Sequence, residues 1–377
     1  MGEGMAENVS LVMMSGGWSD RPLERELRQA CQASARDLLS RLLSTGVIDQ
    51  AVIATDDAEW ADRIEGSSLT ISVDLRGEAF HFGRRLAALI KRRGWRRVLY
   101  TGGAAAPLMQ THHWRDVLER LCRADRLMMA NNLHSSDWVG LTVDERTLAL
   151  IAEVPSDNAL AWVLANDAGL PAEDLPAAAR TRFDLDTPLD LLIARHHPHI
   201  GPALRRRLDR LDWEAPALDG LLEVMVQEGA SLAVIGRVSS SAWRALEQAT
   251  RCWVRVFAEE RGMQASGRLT RGEVRSLVAD YLRLVGLDRF FEALAGLADG
   301  VFLDSRVIMA ACGEWPAAED RFNADLLRWR EIQSPFLRQL TRAAAEAPVP
   351  VVMGGHSIVS GGLMTLVDSL RSEEGMG

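Results

Sequence analysis

Over its first 130 residues the chain alternates short apolar runs with longer stretches of helical periodicity, and few folds satisfy that rhythm. The apolar runs lie at 9–14 (VSLVMM), 51–55 (AVIAT), 69–75 (LTISVDL), 96–103 (RRVLYTGG) and 126–132 (RLMMANN). Amphipathic segments at 23–46, 57–64, 79–94 and 113–124 separate them. In the first of these, Leu23, Leu27, Cys31, Ala35, Leu38 and Leu42 recur every three or four residues and mark one buried helix face, with Gly46 as its C-cap. Such alternation predicts βαβ units: an α/β fold with a mostly parallel sheet flanked by helices on both faces. Residues 138–154 break the rhythm with two apolar runs and no helix between them, which predicts a hairpin or strands of mixed direction. Residues 158–170 read as a helix, and 179–186 as a short strand before a new helix.

A second unit follows. Pro198, Pro202 and Pro216 cluster in 198–220 and mark the boundary, giving domains 1–212 and 213–377. Beyond it the alternation resumes, with strands expected at 231–238, 252–259, 300–306 and 349–355 and the longest helix around 272–298. This half reads as a second, helix-rich α/β domain, and 377 residues suit two domains.

The charge balance narrows the partners. With 43 Lys and Arg against 52 Asp and Glu, the net charge is −9, which argues against nucleic acid as the main partner. The basic clusters at 91–97 (KRRGWRR) and 204–211 (LRRRLDRL) read as solvated helix faces. Cys31, Cys122, Cys252 and Cys312 lie far apart with no C-x-x-C pair, so neither a disulfide framework nor a zinc site is expected. Acidic residues precede the first apolar run, the reverse of a signal peptide, and no apolar stretch approaches the ~18 residues of a membrane span. The expectation is a soluble cytoplasmic protein without a membrane partner, with homo-oligomers allowed.

Ligands of open parallel sheets bind beyond the carboxyl ends of the strands. In the first domain those exits are 15–21 (SGGWSDR), 55–57 (TDD), 101–107 (TGGAAAP), 131–137 (NNLHSSD) and 184–188 (DLDTP). Gly16 and Gly17 can cradle a phosphate with Arg21 supplying charge, or simply make a tight turn. Asp56 or Asp57 reads as a helix cap. Asn131, Asn132, Ser135 and Asp137 suit a base or ribose edge, and a loop of Asx turns has the same composition. In 183–191 (FDLDTPLDL), Thr187 suits a helix cap, Pro188 the first helical position and Asp190 the macrodipole, leaving the two acids just upstream unexplained.

The order of these motifs resembles the nucleotidyltransferases of the GT-A, nucleotide-diphospho-sugar transferase fold, above all the molybdenum-cofactor guanylyltransferase-like enzymes and the 2-phospholactate guanylyltransferases. LVMMSGGWSDR corresponds to their glycine-rich, arginine-containing loop, YTGGAAAPLM (100–109) to the exit that carries a metal-binding aspartate, and DTPLDL (186–191) to the element that ends the domain. DNALAW (157–162), then AGLP and FDLDTP, follow the order of the phospholactate enzymes, and the resemblance spans about residues 8–210. It implies Mg²⁺-assisted transfer of a nucleoside monophosphate from a nucleoside triphosphate to a small hydroxyl or phosphate acceptor. Asp186 would be a metal ligand and catalytic, Arg21 would act on the phosphates, and Gly16, Gly17, Gly102, Gly103, Asn131 and Asn132 would line the nucleotide. Two positions depart from the pattern. The family's lysine has no counterpart, since the first lysine of the chain is Lys91, and the mid-sheet aspartate falls on Ala104, Ala105 or Ala106. A lone carboxylate is a poor magnesium site unless the substrate phosphates supply the rest. Asp137, on a neighbouring exit, is the candidate second metal ligand and catalytic acid. The alternatives are a non-catalytic ligand-binding or assembly domain of this fold, with any activity in the C-terminal half, and a wholly non-enzymatic interaction protein.

In the second domain the exits are 238–241 (VSSS), 259–263 (EERGM), 304–307 (DSRV) and 354–362 (GGHSIVSGG). Glu259, Glu260, Arg261, Asp304, Arg306, His356 and Ser357 would converge on one crevice if the four strands are parallel neighbours. The turn at 353–357 (MGGHS) suits an anion, with His356 able to titrate near neutrality. Equally, Glu and Arg can form structural ion pairs while the glycines pack a helix on the sheet. The run at 195–199 (RHHPH) reads as a loop of exposed histidines, because Pro198 disrupts the helical face a metal site needs.

Overall fold

The computed structural model describes residues 8–64, 69–73, 80–264 and 266–374. They form two compact units. One comprises the chain up to Trp18, Cys31–Thr181 and Gly201–Leu204; the other comprises Ser19–Ala30, Arg182–Ile200 and the chain from Arg205. The expected boundary at 212/213 therefore differs from the observed grouping: the Asp-Thr-Pro segment and the helix after it belong with the C-terminal unit.

The N-terminal sheet has β1 (Val9–Ser15), β2 (Ile48–Thr55), β3 (Leu69–Val73), β4 (Arg97–Gly102), β5 (Met128–Ala130), β6 (Trp138–Thr142) and β7 (Ala172–Asp174), in the order β3-β2-β1-β4-β6-β5-β7. All pairings are parallel except those of β6 with β4 and β5. This is the mostly parallel, helix-flanked α/β architecture that the alternation predicts. β1 is buried on both faces: Leu11 and Met13 enter one apolar cluster and Val12 the other. Each such side chain contributes about 1.5–3 kcal/mol by leaving water.

Two local expectations change, and a third is seen over the described residues. The second apolar run of 138–154 is a helix, Glu145–Glu153, because Asp144 and Thr147 form a capping box that starts it. The strand expected at 179–186 is instead a short helix, Ala179–Arg182, with the Thr181 hydroxyl donating to the Pro176 carbonyl at 2.8 Å. The strand expected at 69–75 is seen as Leu69–Val73, and its last two residues lie outside the described residues.

The C-terminal sheet has β8 (Ser231–Gly236), β9 (Trp253–Ala258), β10 (Gly300–Asp304) and β11 (Val351–Gly354) in the order β11-β10-β8-β9, all parallel. Ala233, Ile235, Val301, Leu303, Val351 and Met353 pack on Phe290, Phe291, Leu337 and Leu340 from helices Leu287–Ala295 and Pro335–Ala345. The long helix expected around 272–298 is broken in two at Gly286, whose φ of 82° ends helix Leu277–Val285.

Candidate functional site

At the exit of β1, Gly17 donates its amide to Asp56 Oδ2 at 3.0 Å, and a Cβ on Gly16 would lie 2.6 Å from Asp56 Oδ1. The carboxylate that follows β2 therefore holds the glycine turn, a role the sequence did not reveal. Asp57 is the cap of helix Ala58–Arg63, accepting from the Trp60 amide at 2.9 Å, as its local pattern predicts. Arg21 is exposed, precedes helix Pro22–Leu43 and belongs to the C-terminal unit.

At the exit of β4, the Gly102 amide donates to the Asp137 carbonyl at 3.0 Å and the Gly103 amide to the Met14 carbonyl at 2.9 Å. A Cβ on Gly103 would stand 2.9 Å from Ser15 Cβ, so only glycine lets the two exits close on each other. The alanines that follow are not a vacant ligand position. Ala105 and Ala106 are 1% and 4% exposed, inside the cluster that contains Met13, Ala35, Trp114 and Trp138; only Ala104 is half-buried. A carboxylate at 105 or 106 would be stripped of water there at a cost of several kcal/mol.

The neighbouring loop turns inward on itself. Asn131, 3% exposed, donates from Nδ2 to Asp137 Oδ2 at 2.6 Å and accepts from the Asp137 amide at 3.0 Å. Asn132 accepts from the His134 amide at 3.2 Å, an Asx turn, and the Ser135 hydroxyl meets Asn158 at 2.8 Å. Sequence reasoning missed Tyr100, whose hydroxyl donates to Asp157 Oδ2 at 3.1 Å. Burial, reinforced by Asp157 and Asp137, pushes the Tyr100 hydroxyl well up, and burial also raises the Asp157 carboxyl. Tyr100 sits in an apolar strand, so nothing in its local sequence marks it as polar in role.

The magnesium ion implied by the resemblance needs near-octahedral oxygen ligands, of which one or two are protein carboxylates. Among the described residues no three His, Cys, Asp or Glu side chains come together to hold a metal. Asp137 stands beside the Gly102–Gly103 exit but is clamped by Asn131, and the alanines direct methyl groups into the core. The mid-sheet exit thus offers Asp137, hydrogen-bonded to Asn131, in place of an aspartate at 104–106, and Asp186 lies in the C-terminal unit.

In the C-terminal unit, Asp186 is exposed, and Asp190 four residues on is 1% exposed. Asp190 Oδ2 accepts from the amides of Asp186 (3.1 Å) and Thr187 (2.8 Å) and from the Thr187 hydroxyl (2.9 Å), a capping box with Pro188 at the first helical position. Burial pushes the Asp190 carboxyl up to about 7; the Ser357 hydroxyl and Thr187 pull it down and the Asp186 carboxylate adds to the rise. The Ser357 hydroxyl is near enough to act on that carboxyl, yet neither Ser357 Oγ nor Asp190 Oδ1 completes a hydrogen bond of good geometry.

Because all four C-terminal strands are parallel neighbours, their exits lie along one sheet edge as expected, but not all seven acids, bases and hydroxyls serve alike. Glu259 caps helix Leu277–Val285 through Ser276 and the Val278 amide at 3.1 Å. Glu260 accepts from Arg268 Nε at 3.1 Å and Nη2 at 2.8 Å. Arg306 forms a buried two-pronged pair with Asp325, 2.6 Å on each side. These three are structural. Asp304 is fully buried and clasped by Arg237, Nε to Oδ2 at 2.6 Å and Nη2 to Oδ1 at 3.0 Å. Burial works to raise the Asp304 carboxyl, and Arg237 overrides it, leaving the carboxyl below its usual value. Arg237 escaped the sequence reading because 231–238 read as strand, whereas β8 stops at Gly236. His356, exposed at the exit of β11, is pushed down to about 4, first by the protein packed around it and then by the Arg237 guanidinium, with Arg261 acting the same way. The open side of the ring tempers the effect of burial, and in either case the imidazole is neutral at pH 7. Within 195–199, His197 is buried and bonds Asp368 Oδ2 at 3.1 Å, so this run is not wholly a loop of exposed histidines.

No protein family and no curated protein matches the sequence. Similar solved structures include Rv0371c of Mycobacterium tuberculosis (15% identity, 54% of this chain and 99% of that chain, TM-score 0.36), which has also been solved as a manganese complex. They include a cytidylyltransferase of Leptospira borgpetersenii (14% identity, 50% and 85%, TM-score 0.35) and the bifunctional IspDF of Campylobacter jejuni (11% identity, 46% and 51%, TM-score 0.35). Each likeness covers about half of this chain.

Proposed function

We propose that the N-terminal unit is a nucleotide-binding domain of nucleotidyltransferase-like fold that binds a nucleotide, or a phosphate ester resembling one, without itself carrying out metal-assisted transfer. The observation that supports this most is the place of Ala105 and Ala106, whose methyl groups complete the apolar core where the related enzymes carry the metal-binding acid. Of the two glycine exits, Gly16–Gly17 is exposed to a ligand, whereas the Gly102 and Gly103 amides are already taken by the Asp137 and Met14 carbonyls. Asp56 already occupies the Gly17 amide, so a phosphate binds there in competition with a carboxylate. Any chemistry in this chain then belongs to the C-terminal crevice.

Mg²⁺-assisted transfer of a nucleoside monophosphate to a small hydroxyl or phosphate acceptor is the competing reading. What favours it is Asp137 itself, whose backbone carbonyl accepts from the Gly102 amide, so that an acidic residue lies at the mid-sheet exit. The test is to titrate the full chain with each nucleoside triphosphate and Mg²⁺, with phospholactate or molybdopterin as acceptor, and to follow both binding and pyrophosphate. Binding without pyrophosphate, unchanged by Asp186→Ala, is the expected result. Pyrophosphate release abolished by Asp137→Asn would overturn it in favour of transfer.

A further inference from the structure

The carboxyl edge between β8 and β10 combines four features that no structural role accounts for together. The first is topological. From β8 the chain continues to β9 on one side, whereas β10 pairs on the other, so the connections diverge and open a crevice at the strand ends. Open α/β sheets take their ligands at such a divergence.

The second is the turn itself. Gly236 adopts φ 120°, and a Cβ there would lie 2.4 Å from Asp304 Cβ, so the chain folds tightly over the end of β10 as only glycine permits. Arg237 follows directly, fixed by Asp304 through Nε and Nη2, while its Nη1 group makes no hydrogen bond among the described residues. A planar guanidinium held rigidly on one edge offers its remaining donors to an oxyanion with little ordering cost.

The third is helix Ser240–Ala249, entered at once from this turn. Its cap, Ser239, accepts from the Ala242 amide at 3.1 Å, and its first-turn amides have no intrahelical acceptor. The fourth is a pair of further groups. The turn His356–Val359 after β11 packs against β8 and β10, and its His356 feels Arg237 and Arg261 and, in the opposite sense, Asp304. Arg261, exposed after β9, has no acid partner among the described residues. The negative charges nearby are already used: Asp304 by Arg237, Glu260 by Arg268, and Glu259 by the helix it caps.

We propose that this crevice binds the phosphate group of a small phosphorylated molecule, held by Arg237, Arg261 and His356 over the start of helix Ser240–Ala249. The site does not depend on the nucleotide reading of the N-terminal unit. Burial first, then Arg237 and Arg261, hold the imidazole neutral against the opposing pull of the Asp304 carboxylate and the Arg237 backbone. A bound phosphate dianion reverses that field, so binding and protonation of His356 reinforce each other.

The test uses the full chain and the histidine ring resonances, with His356→Gln to assign the signal. Inorganic phosphate and a hexose phosphate are titrated in turn, against chloride at equal ionic strength. The expected result is that both raise the His356 pKa by about one unit or more, the ester at lower concentration, and that Arg261→Gln weakens binding about tenfold. A stronger effect from inorganic phosphate than from the ester would assign the site to the free ion. A His356 signal that moves no more than in chloride, in protein of unchanged circular dichroism, overturns the proposal. Arg237 is left intact because its removal would strand Asp304 as a buried, unpaired charge. Repeating the titration with Asp137→Asn separates the two sites: His356 responds as before even if nucleotide binding by the N-terminal unit has failed.

Discussion

At the carboxyl edge of the N-terminal sheet, carboxylates hold the loops in place and apolar methyl groups fill the space between. Asp56 takes the Gly17 amide, Asp137 is clamped by Asn131, Asp157 receives the Tyr100 hydroxyl, and Ala105 and Ala106 seal the middle. The carboxyl edge of the C-terminal sheet is built the other way. There two buried acids are matched by arginines, Asp304 by Arg237 and Asp325 by Arg306, and a cation and an imidazole are left facing solvent. The comparison teaches that strand-end position alone does not make a site. What differs is whether the polar groups delivered there are consumed by the fold.

The largest expected effect comes from forcing the N-terminal edge to carry the missing acid. Ala105→Asp places a carboxylate in the core and costs about 5 kcal/mol, seen as a fall of roughly 10 °C or more in melting temperature, whereas Ala104→Asp at the half-buried position stays near wild type. Equal melting temperatures for the two variants would mean that the 105 side chain is not in the core.

A second effect is a pH dependence confined to the C-terminal unit. The folded Asp190 carboxyl titrates near 7, above the ordinary aspartate value, so the folded state holds a proton that the unfolded chain has released. Stability is then full below about pH 4 and falls as the pH rises towards 7, by on the order of 4 kcal/mol. Asp190→Asn keeps an oxygen for the Thr187 cap and carries no charge. Its melting temperature relative to wild type should therefore rise between pH 5 and pH 8, and a constant difference would contradict the buried-acid account.

The smallest effect sharpens the comparison most. Asp56→Ala frees the Gly17 amide and removes a like charge, so nucleotide should bind roughly threefold tighter, an exposed-charge effect that shrinks with added salt. Weaker binding would show Asp56 to be a ligand contact rather than a competitor.

The parts of this fold that were legible in sequence are those set by periodicity and local capping. The strand–helix alternation, the Asp57 cap and the Thr187–Pro188–Asp190 start are read directly from short-range patterns. The second apolar run of 138–154 misled because its apolar residues suit either element, and only the Asp144–Thr147 box settles it. What sequence did not show are the long-range contacts at the strand exits. Asp56 meets Gly17 39 residues away, and Arg237 meets Asp304 67 residues away, so neither partner can be inferred from its neighbours. The triple alanine reads as a gap at sequence level because sequence shows the missing acid but not the core that its methyl groups complete.

The most direct test of the central claim is simultaneous measurement of nucleotide binding and pyrophosphate release by the full chain with Mg²⁺ and acceptor present. The account predicts saturable binding with no pyrophosphate above the uncatalysed background. Pyrophosphate that appears with acceptor and is lost in Asp137→Asn would contradict it.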